Sequence, residues 1–433
     1  MSDLNQTPSS ERVHISIFGR RNSGKSSLIN ALTNQSLAIV SDVPGTTTDP
    51  VSKSMEILPI GPVLVTDTAG IDDVGELGRM RVEKTLRVLE NTDLAILIVE
   101  SGSQPGEWEQ DLVNKIKDRD IPLLICATKT DEYVGPAHDV PAQHIRKWAT
   151  ERSALFLPVS AVTREGIEQL KTALGELSPT GISEPQIIGD LITGGDIVVL
   201  VVPIDKAAPK GRLILPQVMT IRDALDHDAI AVTVKERELR ACLDDLSRKP
   251  KLVITDSQAF LKVDADTPKD IWMTSFSILM ARYRGDLAAF VAGAAAIDRL
   301  KIGDKVLVSE GCTHHQQADD IGRVQIPRWL RQLVGGELEF GFSSGRDFPP
   351  DFDKYDLIVH CGGCMLNRRE MLYRQRVAGE AGVPMTNYGV LLAKVHGILD
   401  RALDPFPLAK LALEKKPKAG PAPRKLRLGR TTL

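Results

Sequence analysis

Residues 19–26 read Gly-Arg-Arg-Asn-Ser-Gly-Lys-Ser, and they directly follow the apolar run Val-His-Ile-Ser-Ile-Phe at residues 13–18. This is the order of a strand that leads into a phosphate-binding loop of the form G-x-x-x-x-G-K-[ST]. The glycines allow backbone N–H groups to surround phosphate oxygens, Lys25 supplies charge to the β- and γ-phosphates, and Ser26 is placed to ligate Mg²⁺. The apolar positions of residues 27–32 predict a helix whose positive N-terminal end faces the phosphates. The pattern therefore predicts a nucleotide-binding α/β domain.

The length and composition are those of a multidomain globular protein. The 433 residues exceed one compact core, and 42% hydrophobic with 26% charged residues is typical of soluble proteins. A net charge of −3 gives no reason to expect a nucleic-acid partner. The N-terminus shows no secretory signal, the five cysteines are an odd number, and the most apolar helical stretch, 287–297, is too short for a membrane span. We therefore expect a cytoplasmic protein with reduced thiols and no membrane partner.

Strand-like and helix-like segments alternate beyond the loop, as a parallel α/β sheet requires. The apolar runs that predict strands lie at 63–66, 94–99, 123–127 and 155–159. Three of them are followed by polar signatures, which are Asp-Thr-Ala-Gly at 67–70, Thr-Lys-Thr-Asp at 128–131 and Ser-Ala at 160–161. Open α/β sheets bind ligands at the carboxyl ends of their strands, so these signatures are expected to surround the nucleotide.

Two of the expected contacts concern the γ-phosphate. Asp67 stands where Mg²⁺ is held through water, and the N–H of Gly70 is placed to meet the γ-phosphate. A switch segment belongs between the loop and the second strand, and residues 44–49 read Pro-Gly-Thr-Thr-Thr-Asp there. Thr47 is the best candidate in it to close over the phosphate and Mg²⁺. Ser26, Thr47 and Asp67 are the predicted magnesium ligands.

The remaining signatures predict a guanine pocket. Asp131 can accept two hydrogen bonds from the N1–H and N2–H₂ edge of guanine, which adenine does not offer. The stem of Lys129 can cover the base, and the N–H of Ala161 can reach O6. The full set expected to contact GTP is Gly19, Asn22, Ser23, Gly24, Lys25, Ser26, Ser27, Thr47, Asp67, Gly70, Thr128, Lys129, Asp131, Ser160 and Ala161, with Lys25, Thr47, Gly70 and Asn22 acting in hydrolysis.

This motif set resembles the translation-factor-like GTPases, particularly the tRNA-modification GTPase and the Era and Der ribosome-assembly GTPases. Thr128 stands where that group usually has Asn. Because a hydroxyl can make some of the same loop contacts, we expect slightly weaker guanine binding without loss of specificity. Ile71 follows the second signature and cannot orient water as a glutamine does. The resemblance implies that Asn22 instead ligates K⁺ beside the phosphates; the alternative is that Asn22 only braces the loop.

A second, smaller α/β domain is predicted over residues 184–270. It follows a stretch rich in Pro, Gly and Ser, and it has no phosphate loop and no metal-like spacing. Cys242 lies on a helical pattern there and is expected to be packed rather than reactive. An interaction or dimerisation module is the most economical interpretation, so we expect a homodimer.

A helix-like stretch at 278–300 is predicted to open a third region of the chain. Beyond it, two short windows contain three of the five cysteines and three of the eight histidines. Cys-Thr-His-His at 312–315 follows a predicted strand at 305–309, and His-Cys-Gly-Gly-Cys at 360–364 follows another at 355–359. Two neighbouring strands could bring these loops together, and the paired glycines allow amide N–H groups to point at sulfur. The windows predict a metal centre, for which zinc and a 4Fe–4S cluster are both compatible with the residues.

The combination of a GTPase domain, a small α/β domain and C-x-H…H-C-x-x-C resembles the HydF family, the GTPases of FeFe-hydrogenase maturation. The resemblance runs from Val13 to about Leu413. It implies a 4Fe–4S cluster in the last domain. The implied ligands are Cys312, Cys361 and Cys364, with His314 or His360 as candidates for a fourth position that is otherwise open; His315 fits the motif less well.

The resemblance also implies a function. Members of this family act as a scaffold on which the di-iron precursor of the hydrogenase active site is assembled before transfer to the apo FeFe-hydrogenase. The radical-SAM maturases HydE and HydG are the implied upstream partners. GTP hydrolysis is then expected to time partner exchange.

The predicted fold class is α/β: a P-loop GTPase domain at 1–178, the small α/β dimerisation domain, a cluster-binding α/β domain at 274–413, and a basic tail at 414–433. Seven Lys or Arg and no acidic residue lie between 415 and 430, as in a solvated tail. The tail keeps open a ribosome- or tRNA-linked GTPase with a structural zinc domain. A second alternative is a GTP-switched interaction protein whose metal is only structural.

Overall fold

The structure is a computed structural model that describes residues 7–33, 51–68, 87–132, 142–178, 185–203, 213–311, 320–345 and 348–414. The chain divides into two compact units, Met1–Glu184 and Pro185–Leu433. Within the described ranges, no helix combines the length and apolar character that crossing a bilayer requires.

A six-stranded sheet forms the centre of the first unit, in the order β2-β3-β1-β4-β5-β6. Its strands are β1 (Val13–Gly19), β2 (Val51–Ile57), β3 (Gly61–Asp67), β4 (Leu94–Glu100), β5 (Leu123–Thr128) and β6 (Leu155–Pro158). All neighbours are parallel except β2, which pairs antiparallel with β3 at the edge. The strands predicted from apolar runs are confirmed. The edge strand β2 is missed because it is largely exposed and has no such run.

Helices pack on both faces of this sheet. They are α1 (Lys25–Thr33), α2 (Glu107–Lys117), α3 (Gln143–Thr150) and α4 (Ile167–Leu177). On one face, Leu28 of α1 and Leu170 of α4 join Ile17 in a buried cluster. On the other, Leu112 of α2 joins Phe18. Adjacent β1 residues thus face opposite layers, which explains why the strand is buried along almost its whole length.

The second unit contains two four-stranded parallel sheets, in the orders β10-β9-β7-β8 and β12-β11-β13-β14. The strands are β7 (Ile197–Val201), β8 (Ile230–Val234), β9 (Leu252–Thr255), β10 (Trp272–Ser275), β11 (Lys305–Glu310), β12 (Glu339–Ser344), β13 (Leu357–His360) and β14 (Met385–Asn387). Buried residues of both sheets, such as Leu200 and Leu307, belong to one hydrophobic core.

Helices of the second unit follow most of its strands. They are α5 (Leu215–Asp226), α6 (Leu239–Asp245), α7 (Phe260–Asp266), α8 (Phe276–Arg284), α9 (Leu287–Ala294), α10 (Ile326–Val334), α11 (Arg368–Glu380), α12 (Tyr388–Val395), α13 (Leu399–Ala402) and α14 (Pro407–Glu414). The single helical stretch expected at 278–300 is wrong. Gly285 is extended, and the Asp286 side chain accepts the N–H of Ala289 at 3.2 Å, so a new helix begins there.

Candidate functional site

The predicted phosphate-binding loop joins β1 to α1. Lys25 is the first residue of α1, and its Nζ donates to the carbonyl oxygens of Gly19 at 3.0 Å and Arg20 at 2.7 Å. Gly24 has a φ of +93°, which favours glycine. A Cβ at Gly19 would come within 2.8 Å of the carbonyl oxygen of Ile98 on β4. Both motif glycines are therefore required by the backbone of the loop.

Two of the predicted magnesium ligands meet at the end of β3. The hydroxyl of Ser26 donates to Oδ2 of Asp67 at 3.0 Å. Burial raises the pKa of Asp67, while the Ser26 hydrogen bond and the charge of Lys25 act in the opposite direction. The second carboxylate oxygen, Oδ1, is buried and has no hydrogen-bond partner among the described residues. Because such an oxygen is costly and Mg²⁺ takes oxygen ligands, the pair fits the ion.

Thr128 connects the end of β5 to the phosphate loop. Its hydroxyl is buried and donates to the carbonyl oxygen of Ser23 at 2.6 Å. Its own carbonyl accepts the hydroxyl of Ser101 at 2.7 Å. The expectation that a hydroxyl at this position contacts the loop is confirmed.

The predicted base-binding signatures lie at neighbouring strand ends. The N–H of Val159 donates to the carbonyl of Ala127 at 2.8 Å, which places residues 160–161 beside 128–131. Lys129 adopts a left-handed φ of +58°, and Asp131 is exposed in the following turn. Ser160 is buried in its own turn. The guanine contacts themselves stay a prediction.

The structure describes some of the remaining predicted residues and not others. Thr47 and Gly70 lie outside the described residues, and so does Ile71. Asn22 is exposed and has a left-handed φ of +59°, a conformation that asparagine tolerates. Ser27 is exposed in the first turn of α1. Potassium binding at Asn22 stays a prediction.

An ion pair that the sequence analysis missed anchors the same loop. Arg20 donates from Nε to Oε1 of Glu109 at 2.6 Å and from Nη2 to Oε2 at 3.0 Å. Glu109 also accepts the N–H of Gly106 at 2.8 Å at the start of α2. The partners are 89 residues apart, so no local pattern signals the contact.

The second predicted site lies where β11 and β13 end side by side, with Ser309 paired to His360. The Sγ of Cys361 accepts the N–H of Gly311 at 3.0 Å and that of Gly363 at 3.3 Å. The N–H of Cys361 donates to the carbonyl of Ser309 at 2.9 Å. The expectation that amides point at sulfur is therefore confirmed for Cys361, and the strands that precede the two windows are neighbours. That the windows themselves meet stays a prediction, because residues 312–315 lie outside the described residues.

The other predicted ligands are described only in part. Burial raises the pKa of the Cys364 thiol, and the charge of Arg284 opposes that effect. Cys312 and His314 lie outside the described residues, as does His315. Among the residues that the structure describes, no group of three His, Cys, Asp or Glu is arranged to hold a metal ion. Because Cys312 and His314 are not among the described residues, cluster ligation stays a prediction.

His360 is fully buried and hydrogen-bonded through both ring nitrogens. Its Nδ1 lies 2.9 Å from the carbonyl oxygen of Cys361, and its Nε2 lies 2.9 Å from Nη1 of Arg374. Burial, followed by the charge of Arg374, lowers the pKa of His360 to about 3, so the ring is neutral at physiological pH. Ligation of iron by His360 would require the ring to leave at least one of these partners.

Two further pairs near this site, one buried and one partly buried, were missed by sequence reasoning. Arg374 of α11 pairs with Glu370 at 2.5 Å. The hydroxyl of Tyr388 donates to Glu310 at 3.2 Å, and burial raises the pKa of Tyr388 well above its usual value. The i,i+4 spacing of the arginine pair is the only local signal, and it is equally typical of exposed helices.

Different protein-family models match the two units of the chain. The hydrogen maturase F dimerization domain matches residues 187–285, and the hydrogen maturase F tetramerization domain matches residues 288–405. A model described as 50S ribosome-binding GTPase matches residues 14–129.

Curated relatives include tRNA modification GTPase MnmE proteins. The protein from a Synechococcus strain is 36% identical over 178 residues, covering 40% of this chain and 36% of the relative. The Thermus thermophilus protein is 37% identical over 168 residues, covering 37% and 32%. This chain thus spans about a third of the length of these relatives. Among solved structures, Aquifex aeolicus Era bound to GDP and AlF4⁻ is 18% identical, with a TM-score of 0.34, covering 51% of this chain and 93% of that chain.

Proposed function

Since the chain belongs to the hydrogen maturase F family, we propose that it is a GTP-switched scaffold that carries the di-iron precursor of the FeFe-hydrogenase active site to the apo-hydrogenase. The family's dimerization and tetramerization models together match most of residues 187–405, and a GTPase model matches residues 14–129. The chain is therefore a hydrogenase maturation GTPase with oligomerization domains. The carrier role, the supply of precursor by HydE and HydG, and a cytoplasmic homodimer are parts of the proposal.

The environment of Cys361 is the observation that carries the cluster assignment. Two backbone N–H groups point at its sulfur from different loops, those of Gly311 and Gly363. Amide donors of this kind favour a thiolate and tune the potential of iron–sulfur clusters. A cysteine that only fills a core has no such requirement, as fully buried Cys126 illustrates: burial raises its pKa to about 12.

Cys312, Cys361 and Cys364 would hold the 4Fe–4S cluster. When bound, the cluster supplies an iron atom whose fourth position can accept an exchangeable ligand. His360 is engaged by Arg374 and the Cys361 carbonyl, which favours His314 or an open position at that iron. An open position suits a scaffold, because a bridging ligand of the precursor could attach there.

The GTPase unit would supply the switch. Ser26 and Asp67 already meet at 3.0 Å and would hold Mg²⁺ together with Thr47. Lys25 would exchange its bonds to two loop carbonyls for phosphate oxygens. Asn22 would hold K⁺ beside the phosphates, and Gly70 would donate to the γ-phosphate. The domain boundaries expected from the sequence, at 1–178, 184–270 and 274–413, remain part of the proposal.

Anaerobic reconstitution of the full-length protein tests the cluster. We expect about four irons and four acid-labile sulfides per chain. Cys312→Ser, Cys361→Ser and Cys364→Ser should each lose most of both. Cys242→Ser is the matched control, because Cys242 lies on α6, outside both windows.

Two results would contradict the proposal in different ways. Stoichiometric zinc without sulfide in protein made under iron-replete, anaerobic conditions would instead favour a GTPase with a structural zinc domain. A normal cluster in protein that cannot activate apo FeFe-hydrogenase, after exposure to HydE and HydG, would retain the cluster but reject the carrier role.

A further inference from the structure

Arg374 is a buried cation beside the proposed cluster turn. It lies on α11, and its side chain is 1% exposed. One guanidinium nitrogen, Nη2, donates to Glu370 at 2.5 Å, and the other, Nη1, lies 2.9 Å from Nε2 of His360. The guanidinium also lies over the ring of Phe348, 5.3 Å from its centroid. A buried charge of this kind is costly unless it is satisfied. The contact between the guanidinium and His360 therefore requires an explanation.

The chemistry of arginine fixes the tautomer of His360. A guanidinium has only donors and keeps its proton in proteins, so Nε2 of His360 must accept. The proton of the neutral ring is then on Nδ1, from which it donates to the carbonyl oxygen of Cys361 at 2.9 Å. Nδ1 then carries a hydrogen, and the lone pair of Nε2 accepts from Arg374. Neither nitrogen is therefore available to ligate iron.

Cys361 is consequently held at three of its atoms. Its N–H donates to Ser309 at 2.9 Å, and its sulfur accepts the N–H of Gly311 at 3.0 Å. The third contact is the carbonyl oxygen, which accepts from His360. The strand pairing provides the first contact, whereas Arg374 controls the third through the imidazole.

We propose that Arg374 is a positioning residue for the cluster turn: through His360 it fixes the carbonyl of Cys361 and keeps both imidazole nitrogens away from the cluster iron. The inference rests on the proposed cluster. It assigns His360 a place in the wall of the site instead of the ligand set. It also predicts that the fourth iron position depends on a helix outside both cysteine windows.

The test uses full-length protein with reconstituted cluster and ¹⁵N-labelled histidine, observed by pulsed EPR in the reduced state. The variant is Arg374→Gln combined with Glu370→Gln, because removing the arginine alone would leave a buried carboxylate without its partner. Arg376→Gln is the control on the same helix, since its side chain is 46% exposed and pairs with Glu380 at 4.0 Å.

In the otherwise native chain, His360→Asn should leave the histidine nitrogen couplings as they are in the wild type, whether His314 supplies a strong coupling or the fourth position is open. The double variant should shift the g-values and gain a histidine coupling, and adding His360→Asn should remove that gain. Arg376→Gln should match the wild type. A double variant that holds its cluster with unchanged g-values and coupling would overturn the positioning role. A wild-type coupling that vanishes in His360→Asn would show that His360 is a ligand.

A measurement without iron keeps the inference independent of the double variant's folding. In apo wild-type protein, the side-chain ¹⁵N shifts of His360 should show a protonated Nδ1 and an unprotonated Nε2. The opposite tautomer, or two protonated nitrogens, would reject the role of Arg374. If wild-type protein binds no iron and sulfide, the proposed cluster fails, while this readout still decides whether Arg374 holds the ring.

Discussion

The hydroxyl of Thr128 donates to the backbone carbonyl of Ser23 at 2.6 Å, which joins the strand end that leads to the base pocket to the loop that surrounds the phosphates. Thr128 is 4% exposed, so the bond is shielded from water. The two halves of the nucleotide site are therefore braced by a threonine. Asparagine, the usual residue in related GTPases, is not needed for this contact.

Removal of that hydroxyl should weaken nucleotide binding. Thr128→Val keeps the shape but leaves the Ser23 carbonyl without this donor, at a cost of about 1 kcal/mol, or roughly fivefold in affinity for a fluorescent GDP analogue. Thr150→Val is the control, because its hydroxyl bonds to the carbonyl of Arg146 within its own exposed helix turn. Equal affinities for both variants would mean that the brace does not affect nucleotide binding.

Guanine selectivity should depend on Asp131. Asp131→Asn presents an amide N–H₂ where a carboxylate would accept from guanine, so preference should shift from GTP towards xanthosine triphosphate. Competition titrations with the two nucleotides measure the shift. Asp120→Asn, in the turn after α2, is a control that should leave the preference unchanged. Unchanged GTP affinity in Asp131→Asn would place the base pocket elsewhere.

Hydrolysis should be slow and faster in K⁺ than in Na⁺. Ile71 cannot orient water, so a cation at Asn22 is the proposed source of charge stabilisation. Steady-state rates in matched KCl and NaCl test this, and Asn22→Ala should remove the difference, whereas Asn114→Ala on α2 should keep it. Equal wild-type rates in both salts would reject the cation. Lys25→Ala should abolish nucleotide binding in either salt.

The sequence predicts those parts of the fold that depend on neighbours in the chain. β4 is a continuous apolar run because both of its faces are buried, and it is found as expected. The edge strand β2 is missed because only one of its residues, Ile57, is buried. The expected helix at 278–300 fails because helical periodicity cannot reveal that Asp286 caps a new helix.

The functional sites likewise combine features that the sequence predicts with contacts that only the fold creates. The phosphate loop and the cysteine windows are recognisable because their chemistry requires fixed local spacings. The Arg20–Glu109 and Arg374–His360 contacts join residues 89 and 14 positions apart, and only the folded backbone brings them together. Buried arginines are the least predictable part, because composition alone makes an exposed position the better expectation.

The turn between Cys361 and Cys364 should require glycine at position 363. Gly363 has a φ of +63°, and its N–H donates to the Cys361 sulfur. Gly363→Ala should cost about 1 kcal/mol of unfolding free energy through backbone strain, and more through contact of the new methyl with Met371. Gly379→Ala is the control, because no atom of the described residues lies within 4 Å of its Cβ position on α11 and alanine favours a helix. Urea unfolding of the apo proteins and iron content after reconstitution should both fall for Gly363→Ala alone. Retained stability together with full iron content in that variant would mean that the turn accepts an L-residue and that the left-handed backbone does not position the sulfur.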